Sequence, residues 1–284
     1  MEMDERLHTA QPNGRIFETQ TTHRQNDQPL FPQLRVPPDY LPNGRKSISS
    51  IAEHAICLGT VLGVSLVLAV QLALAGHYLW RIPFFSSILA IFHFLEFDMT
   101  ARYNPPDAKV SSFLLFNNGR AYNIAHTTAV IEVLLRYWFL PSRYPTVVSA
   151  SKVVAGNLQW LPSIPMLLGI ALVILGQVFR SLAMKQAGTS FNHIVQSSKK
   201  EDHVLVTSGV YQFSRHPAYF GFFWWGLGTQ LVLGNPICFV AYTAVLWKFF
   251  SHRIMHEEKH LVSFFGEDYL HYRKKTSVLI PFIS

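Results

Sequence analysis

The sequence predicts an all-α integral membrane protein with about six membrane helices, of which the last two form a short helical hairpin. Three observations support this fold class. Charged residues make up 14% of the chain and hydrophobic residues 49%, whereas soluble proteins carry about 25% charged residues. The apolar residues are concentrated in uncharged runs at 54–80, 153–179 and 216–247. The first two runs each exceed the roughly 20 residues that a membrane-spanning helix needs.

Residues 1–50 are predicted to form a disordered cytosolic tail. The segment contains six prolines and many Gln, Asn and Thr residues, and it shows no apolar periodicity. Such a composition cannot bury enough apolar surface to offset the entropy that is lost on ordering. The tail precedes a four-helix transmembrane region at 51–182 and a C-terminal region at 183–284.

Four membrane spans are predicted in the transmembrane region. They cover about residues 53–77, 84–99, 121–140 and 161–182. In the first span, Gly59, Gly63 and Ser65 form a small-residue face, on which we expect a close contact with another helix.

Charged residues within the spans need an explanation, because a charge in hydrocarbon is costly. Glu96 and Asp98 lie near the end of the second span, and we expect them at the membrane interface. The alternative is a functional carboxylate within the hydrocarbon. Glu132 and Arg136 of the third span are four residues apart, which is a favourable spacing for an ion pair on a helix. We therefore expect a structural ion pair there.

A membrane hairpin is predicted at 217–250. The run from His216 to Trp247 contains no Asp, Glu, Lys or Arg, and Gly234-Asn235-Pro236 lies near its middle. Pro lacks a backbone donor and cannot continue a helix, so the run should split into two arms of about 14–18 residues. The hairpin would return the polar segments on either side of it to one membrane face.

Basic residues are concentrated in the tail, the 100–120 link, the 180–217 segment and the C-terminus. The positive-inside rule places such segments in the cytosol, so we expect both termini on that side. The same rule and the attraction to anionic lipids account for the net charge of +7. The lipid bilayer is therefore the expected partner, and nucleic acid is not.

Polar residues that flank the hairpin are the candidates for a site. Arg215-His216-Pro217 precede a helix, which places His216 at a helix entrance where anions are favoured. Arg253 and Glu257 are four residues apart and so share one face of the returning helix. A ligand with both an ammonium group and a carboxylate would satisfy this arrangement, and so would an amphiphilic acid in the bilayer.

An ordered series of motifs runs from about residue 179 to residue 282. It comprises Gly188-Thr-Ser-Phe-Asn-His-Ile-Val-Gln196, Leu205-Val-Thr-Ser-Gly-Val-Tyr211, Arg215-His-Pro-Ala-Tyr219, Gly228-Thr-Gln230, Asn235-Pro-Ile-Cys238, Glu257-Glu258 and Phe264-Phe-Gly-Glu-Asp-Tyr269. The series resembles the isoprenylcysteine carboxyl methyltransferase family, the protein-S-isoprenylcysteine O-methyltransferases. The part of the chain before it resembles the family only in hydropathy.

The resemblance implies a methyltransferase that uses S-adenosyl-L-methionine. The acceptor would be the C-terminal carboxylate of prenylated cysteine in proteolysed CaaX proteins, such as Ras-like small GTPases or prenylated pheromones, and the product a methyl ester. The family also implies a multi-pass protein of the endoplasmic reticulum membrane. Residues 183–284 would then be the catalytic region, with cytosolic cofactor-binding segments.

The resemblance also implies the residues of the site. S-adenosylmethionine would be surrounded by Gln196, His203, Val204, Leu205, Val206, Tyr211, His216, Pro217, Ala218, Tyr219 and Glu257. Arg253 and Arg180 would be catalytic and substrate-binding residues: Arg253 would contact the prenylated substrate, and we assign Arg180 to steering the substrate carboxylate. Gly176 and Met184 stand four residues from Arg180, so we expect Arg180 to be the freer arginine. No metal is expected.

Three other functions stay open at this point. His256-Glu257-Glu258-Lys259-His260 matches the H-E-x-x-H pattern of zinc proteases, although we find no well-placed third ligand. A membrane sterol reductase that uses NADPH shares an Arg-His-Pro-x-Tyr hairpin of this type. A non-catalytic lipid-binding scaffold is the third alternative.

Overall fold

Helices dominate the part of the chain that the structure describes. The computed structural model describes residues 36–115, 118–140, 163–199 and 203–283. Seven α-helices and no β-strand occur in these ranges. They are α1 (Ile48–Leu74), α2 (Arg81–Tyr103), α3 (Gly119–Phe139), α4 (Ile164–Ala187), α5 (Pro217–Leu233), α6 (Pro236–Phe265) and α7 (Glu267–Lys275). The predicted all-α fold class is confirmed.

Three helical segments are long and apolar enough to cross a membrane: Ile48–Leu74, Tyr78–Tyr103 and Ile164–Ser190. They contain α1, α2 and α4, which correspond to the first, second and fourth predicted spans. The third predicted span corresponds to α3, which is not among these three segments. The prediction that the chain contains helices able to cross a membrane is confirmed for these three segments.

The predicted disordered tail extends too far along the chain. Residues 36–50 contain a 3-10 turn at Pro38–Tyr40 and the start of α1. Ser47 caps α1, because its hydroxyl accepts a hydrogen bond from the Ser50 N–H at 3.2 Å. Lys46 ties the segment to the link after α2 by donating to the Pro106 carbonyl at 2.7 Å. Residues 1–35, the rest of the predicted tail, lie outside the described residues.

Helices α4 and α5 approach each other closely along two pairs of glycines. A methyl group at Gly228 would lie 2.7 Å from the Gly169 carbonyl oxygen, and one at Gly221 would lie 2.5 Å from that of Gly176. The glycines are seven residues apart on each helix, and this pairing makes the two helices antiparallel. We call these four residues the glycine seam. Small residues at such positions let two backbones approach closely.

The small-residue face of α1 does not make the contact that we expected. Among the described residues, no atom of another helix lies within 4 Å of the place that a Cβ would take at Gly59 or Gly63. α1 instead buries Leu58 against Ala90 and Phe113. The prediction was wrong because a helix that is apolar on all sides does not reveal in its sequence which face meets protein.

Helices α5 and α6 form the predicted hairpin. Gly234 connects them with a φ of 73°, a conformation that favours glycine, and α6 begins at Pro236. α5 has 17 residues, as expected, but α6 has 30, so the prediction of two short arms is wrong for α6. No Pro or Gly occurs between Pro236 and Gly266, and therefore nothing ends the helix where the apolar run stops.

Helix α3 holds the turn of the hairpin. Asn235 donates to the Ala129 carbonyl at 2.8 Å. The two oxygens of Glu132 accept hydrogen bonds from the backbone N–H groups of Ile237 and Cys238, at 3.1 and 2.7 Å. A carboxylate at this place stabilises the N-terminus of α6. Glu132 thus caps the N-terminus of α6, a role that the sequence did not predict, and the expected ion pair with Arg136 stays a prediction.

Gly221→Ala is expected to lower the stability of the purified protein in detergent by about 1–3 kcal/mol, the usual cost of overpacking. The added methyl group would meet backbone atoms of Gly176 and Arg180, which cannot turn aside as a side chain can. Gly63→Ala is the matched control, since its Cβ would meet nothing within 4 Å. Thermal unfolding should give a lower midpoint for the first variant only, and equal midpoints would contradict the seam.

Candidate functional site

A cavity of about 120 Å³ lies beside the start of α5, between α5, α6, α7 and the non-helical segment 203–206. All predicted cofactor-binding residues except Gln196 line it: His203, Val204, Leu205, Val206, Tyr211, His216, Pro217, Ala218, Tyr219 and Glu257. The Gln196 side chain instead donates to the Ile194 carbonyl at 3.0 Å. The structure thus brings into one cavity residues that are spread over more than fifty positions of the sequence.

The start of α5 forms one wall of the cavity. His216 is the N-cap residue of α5 and Pro217 its first residue, as predicted from the sequence, and Pro is favoured at that position. The His216 ring stacks on Tyr219 with the ring centroids 5.5 Å apart. Because Pro217, Ala218 and Tyr219 all line the cavity, the helix N-terminus presents its partial positive charge to a bound anion.

Tyr219 joins Glu257 to Arg253. Its hydroxyl donates to the Glu257 carboxylate and accepts a hydrogen bond from Arg253 Nε at 2.8 Å. The Arg253 guanidinium carbon also lies 5.3 Å from the centroid of the Tyr219 ring, close enough for a cation–π contact. Arg253 and Glu257 therefore share a face of α6, as their spacing predicts, with the tyrosine hydroxyl bridging them.

Arg180 is fully engaged by protein groups. Its Nε and Nη2 donate to the two oxygens of Glu96, and its Nη1 donates to the Ala218 carbonyl at 3.3 Å. The expectation that Arg180 is the freer arginine is wrong, because its partner comes from α2 and not from its own helix. Glu96 is 0% exposed, so it lies inside the protein, and its expected place at the level of the membrane interface stays a prediction.

Arg253 keeps donors that the protein does not use. Its Nε donates to Tyr219, and its Nη2 donates to the His193 carbonyl at 2.5 Å. No group within the described ranges accepts a hydrogen bond from Nη1. A guanidinium that is fixed on one edge and open on another suits the binding of a carboxylate. The structure therefore reverses the order that we expected for the two arginines.

Behind the cavity, Glu258 fastens α6 to the start of α5. Its Oε1 accepts from Arg215 Nε at 2.5 Å and lies 3.3 Å from His216 Nε2, and its Oε2 lies 3.2 Å from Arg273 Nε. Burial alone would raise the pKa of Glu258, but hydrogen bonds and charge interactions with His216 and Arg215 outweigh burial and lower the pKa to about 2. Glu258 is therefore ionised at neutral pH.

Sequence reasoning missed Glu96 and His193 as parts of this network. His193 lies in one of the motifs, but no role followed from the motif itself. The structure places its Nε2 2.8 Å from a carboxylate oxygen of Glu96, and the neighbouring Asn192 donates to Asp107 at 3.1 Å. The one sequence signal for this cluster is an ionisable residue inside an apolar span.

The glutamates of the H-E-x-x-H pattern have other partners in the structure. Glu257 accepts a hydrogen bond from Tyr219, and Glu258 accepts one from Arg215. The rings of His256 and His260 are neighbours, with centroids 4.8 Å apart. In the part of the chain that the structure describes, no three His, Cys, Asp or Glu side chains are placed to hold a metal ion.

Comparison with known proteins decides the family. The sequence model of the isoprenylcysteine carboxyl methyltransferase (ICMT) family matches residues 168–263. The protein-S-isoprenylcysteine O-methyltransferase of Saccharomyces cerevisiae is 42% identical over 259 residues, which cover 91% of this chain and 98% of the relative. The chain belongs to the isoprenylcysteine carboxyl methyltransferase family.

Further relatives extend the ICMT match beyond the C-terminal motifs. The human protein of the same name is 38% identical over 233 residues, which cover 82% of this chain and 75% of the human protein. A solved structure of a eukaryotic intramembrane Ras methyltransferase ICMT shares 37% identity and gives a TM-score of 0.71 over 82% of this chain and 77% of that chain. The N-terminal part therefore resembles the family in more than hydropathy.

ICMT membership decides among the functions that the sequence left open. The relatives are methyltransferases by name, and so this ICMT-family chain is a methyltransferase. The zinc protease, the sterol reductase and the lipid-binding scaffold are set aside.

Glu258→Gln is expected to destabilise the ICMT-family protein by about 3–5 kcal/mol at pH 7, because it leaves the buried Arg215 without its anion. The folded pKa of Glu258, about 2, lies below the ordinary value of about 4.3. The ionised carboxylate thus stabilises the fold above pH ~4.3 and loses this contribution as the pH falls towards 2. The gap in unfolding midpoint between wild type and variant should shrink on acidification.

Glu53→Gln is the control for this measurement, because Glu53 is exposed on α1 and lies outside the first turn of that helix. Thermal unfolding of the control should follow the wild type at every pH. A gap for Glu258→Gln that stays constant down to pH ~3 would show that the Glu258 charge does not stabilise the fold.

Proposed function

We propose that this ICMT-family protein transfers a methyl group from S-adenosyl-L-methionine to the C-terminal carboxylate of a prenylated cysteine, giving a methyl ester. One observation carries the proposal. All residues but Gln196 that the family resemblance assigns to the methyl donor line one cavity, and Arg253, with unused donors, is one hydrogen bond away through Tyr219. A donor site and a carboxylate-binding group therefore lie side by side.

The cavity offers a matching group for each part of S-adenosylmethionine. The Glu257 carboxylate suits its cationic groups, and the N-terminus of α5 suits its carboxylate. Tyr211, which also lines the cavity, offers an aromatic side chain for the adenine ring. The backbone of 203–206 lies outside the helices, and apart from the Val204 N–H, which donates to the Ser190 hydroxyl, its N–H and C=O groups can pair with the edge of the base. The residues present fit this methyl donor.

The chemistry places its main demand on orientation. When bound, S-adenosylmethionine supplies a methyl group on a sulfonium sulfur. A C-terminal carboxylate has an ordinary pKa of about 3.5, so it is already an anion at neutral pH and needs no general base. Holding the nucleophile in a productive direction is then the chain's contribution.

We assign the two arginines to different tasks. Arg253 receives the acceptor carboxylate, because its Nη1 and part of its Nη2 are available beside the cavity. Arg180 positions the start of α5, because it donates to the Ala218 carbonyl while both of its other nitrogens bind Glu96. Its effect on the reaction would pass through Ala218, which lines the cavity.

The arrangement of the chain in the membrane is inferred from the distribution of its basic residues. We place α1–α5 and the part of α6 up to about residue 250 in the membrane as six helices, with both termini and the cofactor-binding segments in the cytosol, because basic residues are concentrated in these segments. Residues 51–182 then form the membrane region and residues 183–284 the catalytic region. We infer residence in the endoplasmic reticulum membrane and acceptors such as Ras-like small GTPases or prenylated pheromones from family membership. The prenyl tail can enter from the bilayer and the methyl donor from the cytosol.

Methyl-labelled S-adenosylmethionine tests the proposal directly. Vesicles reconstituted with the purified protein should transfer the label to an N-acetyl prenylcysteine acceptor. Treatment with base should then release the label, because methyl esters hydrolyse in base. An acceptor whose carboxylate is blocked as an amide is the control and should stay unlabelled. Label that resists base, or that appears on the blocked acceptor, would overturn the proposed reaction.

Glu257→Gln is expected to weaken the binding of S-adenosylmethionine by about 10- to 150-fold, the value of one charge-assisted hydrogen bond. The change removes the negative charge from the cavity while it keeps the size of the side chain. Isothermal titration calorimetry measures the affinity. His256→Ala, at the exposed neighbouring position, is the control and should bind as the wild type does. Unchanged affinity in Glu257→Gln would remove Glu257 from the donor site.

A further inference from the structure

We propose that His193 is a positioning residue of the methyl-transfer reaction, and that it holds Arg253 in the orientation that receives the acceptor carboxylate. The inference rests on the proposed function, since it needs Arg253 to bind the acceptor. His193 is not among the residues that line the cavity, and it has its effect through Arg253. Glu96 in turn holds His193.

The imidazole of His193 is fixed by Glu96. Its Nε2 lies 2.8 Å from Oε2 of Glu96, and because an ionised carboxylate can only accept, Nε2 carries the proton. The same carboxylate binds Arg180 through both oxygens, so it cannot rotate freely. The His193 ring also meets Phe191 edge to face, with centroids 5.4 Å apart. These contacts leave the imidazole a single orientation.

The backbone carbonyl of His193 fixes Arg253. It accepts a hydrogen bond from Nη2 at 2.5 Å, while the Tyr219 hydroxyl accepts one from Nε at 2.8 Å. Two acceptors on one edge set the plane of the guanidinium. Nη1 and the second hydrogen of Nη2 are then left for a carboxylate, the fork geometry that suits bidentate binding.

His193 thus connects two elements that do not follow one another in the chain. Its side chain binds α2 through Glu96, and its backbone binds α6 through Arg253. If the imidazole loses Glu96, the peptide that carries the carbonyl can turn, and Arg253 loses one of its two anchors. A loss of that kind should appear in the reaction of the acceptor, whereas a general loss of structure should appear in donor binding and stability as well.

The experiment compares two substitutions of His193 in the full-length protein. His193→Leu removes the hydrogen bond to Glu96, whereas His193→Gln can restore it, because the amide nitrogen of Gln reaches the position of Nε2. With an N-acetyl prenylcysteine acceptor, kcat/KM should fall at least about tenfold in His193→Leu, as for one lost contact to a charged group. His193→Gln should recover most of that loss. His54→Leu is the matched control, because His54 bonds to the Ser50 carbonyl on α1, away from the cavity.

The affinity for S-adenosylmethionine is the second readout. We expect it to stay within about twofold of the wild type in His193→Leu, since Glu257 keeps its bond to Tyr219. If the Leu variant does not fold, His193→Asn replaces it, because its shorter amide does not reach Glu96. Wild-type acceptor kinetics in the Leu variant, equal losses in Leu and Gln, or a parallel loss of donor affinity would each overturn the inference. A wild-type protein that transfers no label would instead overturn the proposed function.

Discussion

A buried ion pair between Glu96 and Arg180 is the interaction on which the rest of the site depends. A single charge at this depth would be costly, and removing one member of a buried pair costs about 3–5 kcal/mol. The two side chains neutralise each other's charge, and each makes a further hydrogen bond: Arg180 donates to the Ala218 carbonyl, and Glu96 bonds to the His193 ring. The start of α5 and the segment after α4 are therefore placed by the same two side chains.

The glycine seam makes this placement possible. Only without side chains at Gly176 and Gly221 can α4 come close enough to α5 for Arg180 to reach a carbonyl in its first turn. The packing of two apolar helices thus decides where a guanidinium lies. A second carboxylate, Glu258, then closes the opposite side by holding Arg215 and so fixes α6 against the same helix start. The carboxylates of Glu96 on α2 and Glu258 on α6 therefore hold in place the elements that line the cavity.

Local features of this fold could be predicted from the sequence, and contacts between distant elements could not. Pro217 and Gly234 mark the two ends of α5, because each sets the backbone geometry of its own neighbours. The partner of Arg180 lies 84 residues away, beyond any search along its own helix. One acceptor for Arg253 is a backbone carbonyl, and residue type does not encode such an acceptor. Of the cavity residues, His216 and Glu257 could be predicted from the polar segments that flank the hairpin, whereas most of the others could be predicted only through the ordered family motifs.

Because α6 is long, it connects the turn of the hairpin directly to the residues of the candidate site. Ile237, capped by Glu132, and Glu257 stand on one unbroken helix, about 30 Å apart at 1.5 Å per residue. Each residue of an α-helix turns the chain by about 100°, so a slip of one position at the cap would swing both Arg253 and Glu257 out of the site. The angular position of the carboxylate-binding group is therefore fixed from the far end of the helix, by two hydrogen bonds to Glu132, a residue that does not line the cavity.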